Sequence, residues 1–113
     1  MPDDVEDSQP ELLRVEATYE GADVTISVAG ELYVSTAGRF VACVRDALES
    51  HRRSINVDAR ALEFSDSSGL AALLRARGLA HDVGVAFRIS SPSPKLRRLV
   101  EVDGTEGYLL PDQ

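Results

Sequence analysis

Apolar residues recur along this chain at two spacings, every second residue in some stretches and every third or fourth in others. The switches between these periods mark its elements. Leu13, Val15 and Ala17 alternate with polar neighbours, and after Glu20-Gly21-Ala22-Asp23 the alternation resumes at Val24, Ile26 and Val28, which predicts an antiparallel hairpin. Residues 30–37 are expected to finish the second strand and loop into a helix. That helix carries one stripe of Ala37, Phe40, Val41, Val44, Ala47 and Leu48. Ser35 or Thr36 can cap it, and it is expected to stop around Ser50 and His51. Alternation returns over 54–59. Helical spacing follows from Leu70, Leu73 and Leu74 towards Val83, predicting a helix over about 67–82 that Gly84 ends in a left-handed conformation. A strand is expected over 85–89. Ser93 and Pro94 then open a third helix with Leu96, Leu99 and Val100 facing inward, and residues 108–110 suggest a final short strand.

Strands alternating with helices after an initial hairpin predict an α/β fold. The expected architecture is a mixed β-sheet whose parallel parts are joined by right-handed crossovers and covered by helices. At 113 residues the chain has the size of one domain, able to bury roughly two thirds of its unfolded surface. Residues 1–10 hold Asp3, Asp4, Glu6, Asp7 and two prolines with little to bury, so they are expected to form a disordered acidic tail ahead of one domain over 11–113.

Charge and composition narrow the function. Nineteen acidic against 12 basic residues give a net charge of −7, which argues against direct binding to nucleic acid or anionic membrane. No apolar run is long enough to span a bilayer and no signal peptide opens the chain, so the cytoplasm is the expected compartment. Cys43 is the only cysteine, and beside Phe40, Val44 and Ala47 it is expected to be a small packing residue without chemistry. His51 and His81 lack companions at metal spacing, so no metal and no cofactor are expected. Lys95, Arg97 and Arg98 are expected to be the solvated face of a short helix, and Arg75 and Arg77 the polar side of the second one.

The candidate chemistry lies in Asp66-Ser67-Ser68-Gly69-Leu70, where the strand signal gives way to the second helix. Asp66 is the expected N-cap, with Ser65 competing, since either side chain can accept a bond from a first-turn amide. Ser67 and Ser68 then occupy the first turn, where a phosphate would meet free amides and the positive end of the helix dipole. Gly69 is expected to leave the backbone uncovered for a partner. Taken alone, this is ordinary capping chemistry.

Its neighbours add a resemblance. Gly30-Glu31-Leu32 with Thr36-Ala37, Val57-Asp58 leading to Phe64-Ser65-Asp66-Ser67-Ser68-Gly69-Leu70, and Arg98-Leu99 with Gly104 together resemble the STAS domain, and within it the bacterial anti-sigma factor antagonists. The likeness runs from about Leu12 to Leu110. It implies a protein that is not an enzyme: unphosphorylated, it binds an anti-sigma factor that is also a serine kinase, and so frees a sigma factor for transcription. By the same resemblance the kinase phosphorylates Ser67, with Ser68 the second choice, and a metal-dependent serine/threonine phosphatase reverses the step. The loop from Tyr33 to Thr36 and the start of the second helix both lie at strand-to-helix junctions and are expected to meet at one edge of the sheet. The expected partner-binding residues are therefore Tyr33, Ser35, Thr36, Asp66, Ser67, Ser68, Gly69 and Leu70. Related STAS domains also serve as subunits of transport or stress-sensing complexes or as small-molecule-binding regulatory modules, and these remain the alternative.

The chain departs from the family pattern twice. Tyr33 stands where the family usually carries an aspartate after Gly-Glu-Leu. The expected final strand also leaves no room for the family's C-terminal helix, so an apolar face is expected to be open to docking or homodimer formation.

Overall fold

The computed structural model describes residues 12–110, apart from the side chains of Phe64, Glu106 and Tyr108. The acidic segment 1–10 lies outside the described residues.

Four strands form one sheet in the order β1-β2-β3-β4: β1 (Leu13–Glu20), β2 (Asp23–Leu32), β3 (Ser54–Ser65) and β4 (Ala86–Ser90). β1 and β2 are the antiparallel hairpin, joined through Gly21 at φ +57, while β2, β3 and β4 run parallel. The crossovers between the parallel strands are α1 (Ala37–Glu49) and α2 (Ser67–Asp82); α3 (Pro94–Asp103) and α4 (Glu106–Leu109) follow β4. Both crossovers step the same way across the sheet, so crossovers of one hand put α1 and α2 on one face.

Strand burial follows from that one-sided cover. Val24, Ile26, Val28 and Leu32 of β2 and Ile55, Val57 and Ala59 of β3 are buried under the helices. Arg14, Glu16, Thr18, Ser27 and Arg88 stand exposed on the opposite face. Phe40 and Val44 of α1, Leu73 and Ala76 of α2, and Leu96 and Val100 of α3 complete the core. Ser93 accepts a bond from the Leu96 amide at 3.2 Å and Pro94 holds the first position of α3, as the sequence predicts.

Three elements differ from expectation. β3 continues past residue 59 to Ser65, because two register shifts against β2 insert extra residues that break the alternation: inward positions fall at Ala59 and then Leu62. Asp58 braces the first shift, its carboxylate accepting from both the backbone amide and Nε of Arg60 at 3.2 Å. The last strand begins at Ala86 rather than at residue 85. Residues 108–110 are not a strand: α4 occupies that region, bonding the Leu109 amide to the Thr105 carbonyl at 3.0 Å, and Leu109 and Leu110 are buried. Among the described residues, the segment after β4 thus carries a short helix where a strand was expected, and its Leu109 and Leu110 pack into the core while Val102 of α3 stays exposed.

Candidate functional site

Register brings two strand-to-helix junctions together. Leu32 pairs with Ser65, so parallel β2 and β3 end side by side, and the loop that begins at Tyr33 emerges next to the turn at Asp66. The C-terminal edge of parallel strands is where α/β sheets gather their functional loops.

Asp66 is the N-cap of α2: its Oδ1 accepts from the amides of Ser68 at 2.9 Å and Gly69 at 3.1 Å. Ser65 does not share this task, and its Oγ is sealed from solvent with no hydrogen-bond partner among the described residues. Ser67 is exposed at the first position of α2 and Ser68 is half-buried behind it. A phosphate on Ser67 would therefore not meet an open row of amides, because the Asp66 carboxylate already holds two of them. It would sit on the surface beside a carboxylate.

The structure corrects the role expected of Gly69. The residue is buried, and a Cβ there would lie 2.5 Å from Ser65 Oγ and closer still to the Leu32 carbonyl oxygen. The close approach that glycine permits is thus between α2 and the end of β2, inside the molecule. Leu70, 2% exposed, is likewise a core residue that anchors the turn from within.

On the neighbouring loop, Thr36 ends the approach to α1 without a side-chain cap. Its Oγ1 instead donates to the Glu31 carbonyl at 2.8 Å and accepts from the Tyr33 amide at 3.1 Å, while the amides of Thr36 and Ala37 return to the Tyr33 carbonyl at 3.0 and 2.8 Å. The buried hydroxyl so fixes a tight loop that presents Val34, 77% exposed, and Ser35 to solvent. Tyr33 is half-buried at its base.

A groove of about 430 Å³ runs from this edge between α1 and α2. Gly38, Ala42 and Arg45 of α1 face Ser68, Ala71 and Arg75 of α2 across it. Small residues at one-turn spacing keep its floor low, the two helix N-termini lie at one end, and the two arginines stand at the other. Neither arginine pairs with an acid among the described residues. Sequence reasoning missed Arg45 and this use of Arg75. The signal available was the spacing of 38, 42 and 45 against 68, 71 and 75.

His51 and His81 lie at the C-terminal ends of α1 and α2, the latter fourteen residues from Ser67 or about 21 Å along the helix. Cys43 is half-buried on α1; burial and, less strongly, the Asp46 carboxylate push its thiol pKa up, which keeps it protonated. No group of three or more potential metal ligands occurs, and no helix is long and apolar enough to cross a membrane, among the described residues.

An exposed serine at a capped helix start sits beside a tight loop on a four-stranded α/β sheet. The STAS family model described as "Mlab, STAS domain" matches residues 15–111, and the chain belongs to that family. An anti-sigma factor antagonist from Mycobacterium paratuberculosis is similar in structure, with a TM-score of 0.75 at 19% identity over 90% of this chain and 86% of its own. The anti-sigma factor antagonist SpoIIAA in its unphosphorylated form gives a TM-score of 0.69 at 22% identity, covering 87% of this chain and 85% of its own. Murine Slc26a9, an anion transporter, gives 0.72 at 12% identity over 95% of this chain, which spans 20% of the transporter's length. No curated protein matches the sequence.

Proposed function

We propose that this chain is an anti-sigma factor antagonist that works in the cytoplasm by partner switching, with Ser67 as its control point. The observation that carries this reading is the placement of Ser67: exposed, first in α2, next to the Tyr33–Thr36 loop and directly before Ser68, which lines the α1/α2 groove. Two of its structural relatives are anti-sigma factor antagonists, which supports the same role.

The unphosphorylated edge binds an anti-sigma factor that is itself a serine kinase, through Val34, Ser35 and Ser67 and along the groove, and so releases the sigma factor. Asp66, Gly69 and Leu70 contribute from beneath by holding the turn in shape. Phosphorylation adds roughly −1.5 to −2 charge. With the first-turn amides engaged by Asp66, that charge is poorly neutralised within the protein and must be desolvated if it enters an interface. A loss of about 3 kcal/mol weakens binding roughly a hundredfold, enough to exchange partners without a change of fold. A metal-dependent serine/threonine phosphatase restores the bound state. The chain is the substrate of this reaction and not its catalyst. Tyr33, half-buried where an aspartate is usual, adds no charge beside the acceptor.

Incubating the protein with its cognate anti-sigma kinase and ATP, then locating the phosphate by mass spectrometry, tests the assignment. Phosphate on Ser67 is expected; none on Ser67 or Ser68 refutes it. The Slc26a9 likeness favours a second reading, a STAS subunit of a transport complex. Affinity purification then recovers transporter subunits in place of a kinase-fold anti-sigma factor.

A further inference from the structure

A second concave feature lies behind the α2 N-cap, between the end of β3 and the exposed side of α3. Ser65, Pro94, Lys95, Arg98, Leu99 and Val102 line this cleft of about 650 Å³, within the usual range for small-molecule sites. Its charge runs against the trend of a chain with net charge −7. Lys95 and Arg98 are three residues apart, on one side of α3, where side chains lie about 5–6 Å apart at Cβ and can converge on one group. Neither side chain makes a hydrogen bond or ion pair with another described residue, whereas Arg97 is engaged.

Two further observations agree. Ser65 Oγ is buried without a hydrogen-bond partner among the described residues, a state that is costly and uncommon in folded proteins. Ser65 itself lines the cleft, so an anion seated there lies beside the residue whose hydroxyl lacks an acceptor. On the same side of α3, Val102 is 81% exposed next to half-buried Leu99, apolar surface that solvent leaves unused.

We propose that this cleft binds a small organic anion: a phosphate or carboxylate between Lys95 and Arg98, hydrogen-bonded by Ser65, with a short apolar body over Leu99 and Val102. The assignment is independent of the reading of Ser67. Ser65 directly precedes Asp66, so an occupant here touches the strand end that positions the cap.

Titration of the ¹⁵N-labelled protein with hexyl phosphate tests it, with hexanoate, inorganic phosphate and hexylammonium as comparisons. Hexyl phosphate and hexanoate should saturate, moving the amides of Ser65, Lys95 and Leu99, and hexyl phosphate should bind at least about tenfold more tightly than inorganic phosphate. A Lys95→Gln/Arg98→Gln double variant should lose about tenfold or more in affinity, and Ser65→Ala about threefold. Equal affinity for hexylammonium, undiminished binding by the double variant, or shifts that never saturate overturns the proposal.

Discussion

The Cα of Gly69, in the first turn of α2, rests against the Leu32 carbonyl at the end of β2, with no room for a Cβ between helix and strand. This contact joins the two junctions of the candidate site. Gly69→Ala should therefore force the helix away from the strand and destabilise the protein by about 1–3 kcal/mol, the usual cost of overpacking. Gly78, on the same helix with open space around its Cβ position, gives the control. Gly78→Ala should stabilise by up to about 1 kcal/mol through helix propensity. Thermal melts of the two variants should move in opposite directions.

The two bonds from first-turn amides to Asp66 make a second prediction. Asp66→Ala removes both acceptors and should cost about 0.5–2 kcal/mol. Asp66→Asn keeps an acceptor of similar capping strength and should change stability little. Urea titration distinguishes the two variants. Equal losses would mean that the carboxylate charge, and not the cap, matters there.

At the far end of the α1/α2 groove, Arg45 and Arg75 pair with no acid among the described residues, so an acidic segment of a partner should find them. The Arg45→Glu/Arg75→Glu variant should bind the anti-sigma factor at least about tenfold more weakly and with reduced salt dependence. A Lys95→Glu/Arg98→Glu variant carries the same change of charge on another surface and should bind nearly as wild type does. Both are exposed substitutions, and circular dichroism should report an unchanged fold.

Cys43 gives a pH-dependent prediction. Burial, aided by Asp46, raises its pKa, so less thiolate is present near pH 8 than for a free cysteine. Alkylation by iodoacetamide should run roughly tenfold slower in the folded than in the urea-unfolded protein. The folded-state rate should go on rising with pH after the unfolded-state rate has levelled off.

The hairpin, α1, the bounds of α2 and the Ser93–Pro94 start of α3 were legible in the sequence because period and caps agree there. β3 was legible only to residue 59, since its two register shifts erase the alternation on which strand recognition depends. Residues 108–110 carry too few positions to separate strand from helix, and packing of Leu109 and Leu110 decides for helix. At the site, local chemistry announced the Asp66 cap and the exposed Ser67. The burial of Gly69 against Leu32 depends on a strand distant in sequence, as does the bond from Thr36 Oγ1 to the Glu31 carbonyl on a loop conformation that composition does not encode.

The central claim is that charge on Ser67 decides whether the edge can bind. Isothermal titration of the cognate anti-sigma kinase with wild-type protein, Ser67→Ala and Ser67→Asp tests it most directly. Ser67→Ala should bind within about threefold of wild type, and Ser67→Asp, with its single added charge, at least about tenfold more weakly. Equal affinity for all three would contradict the account.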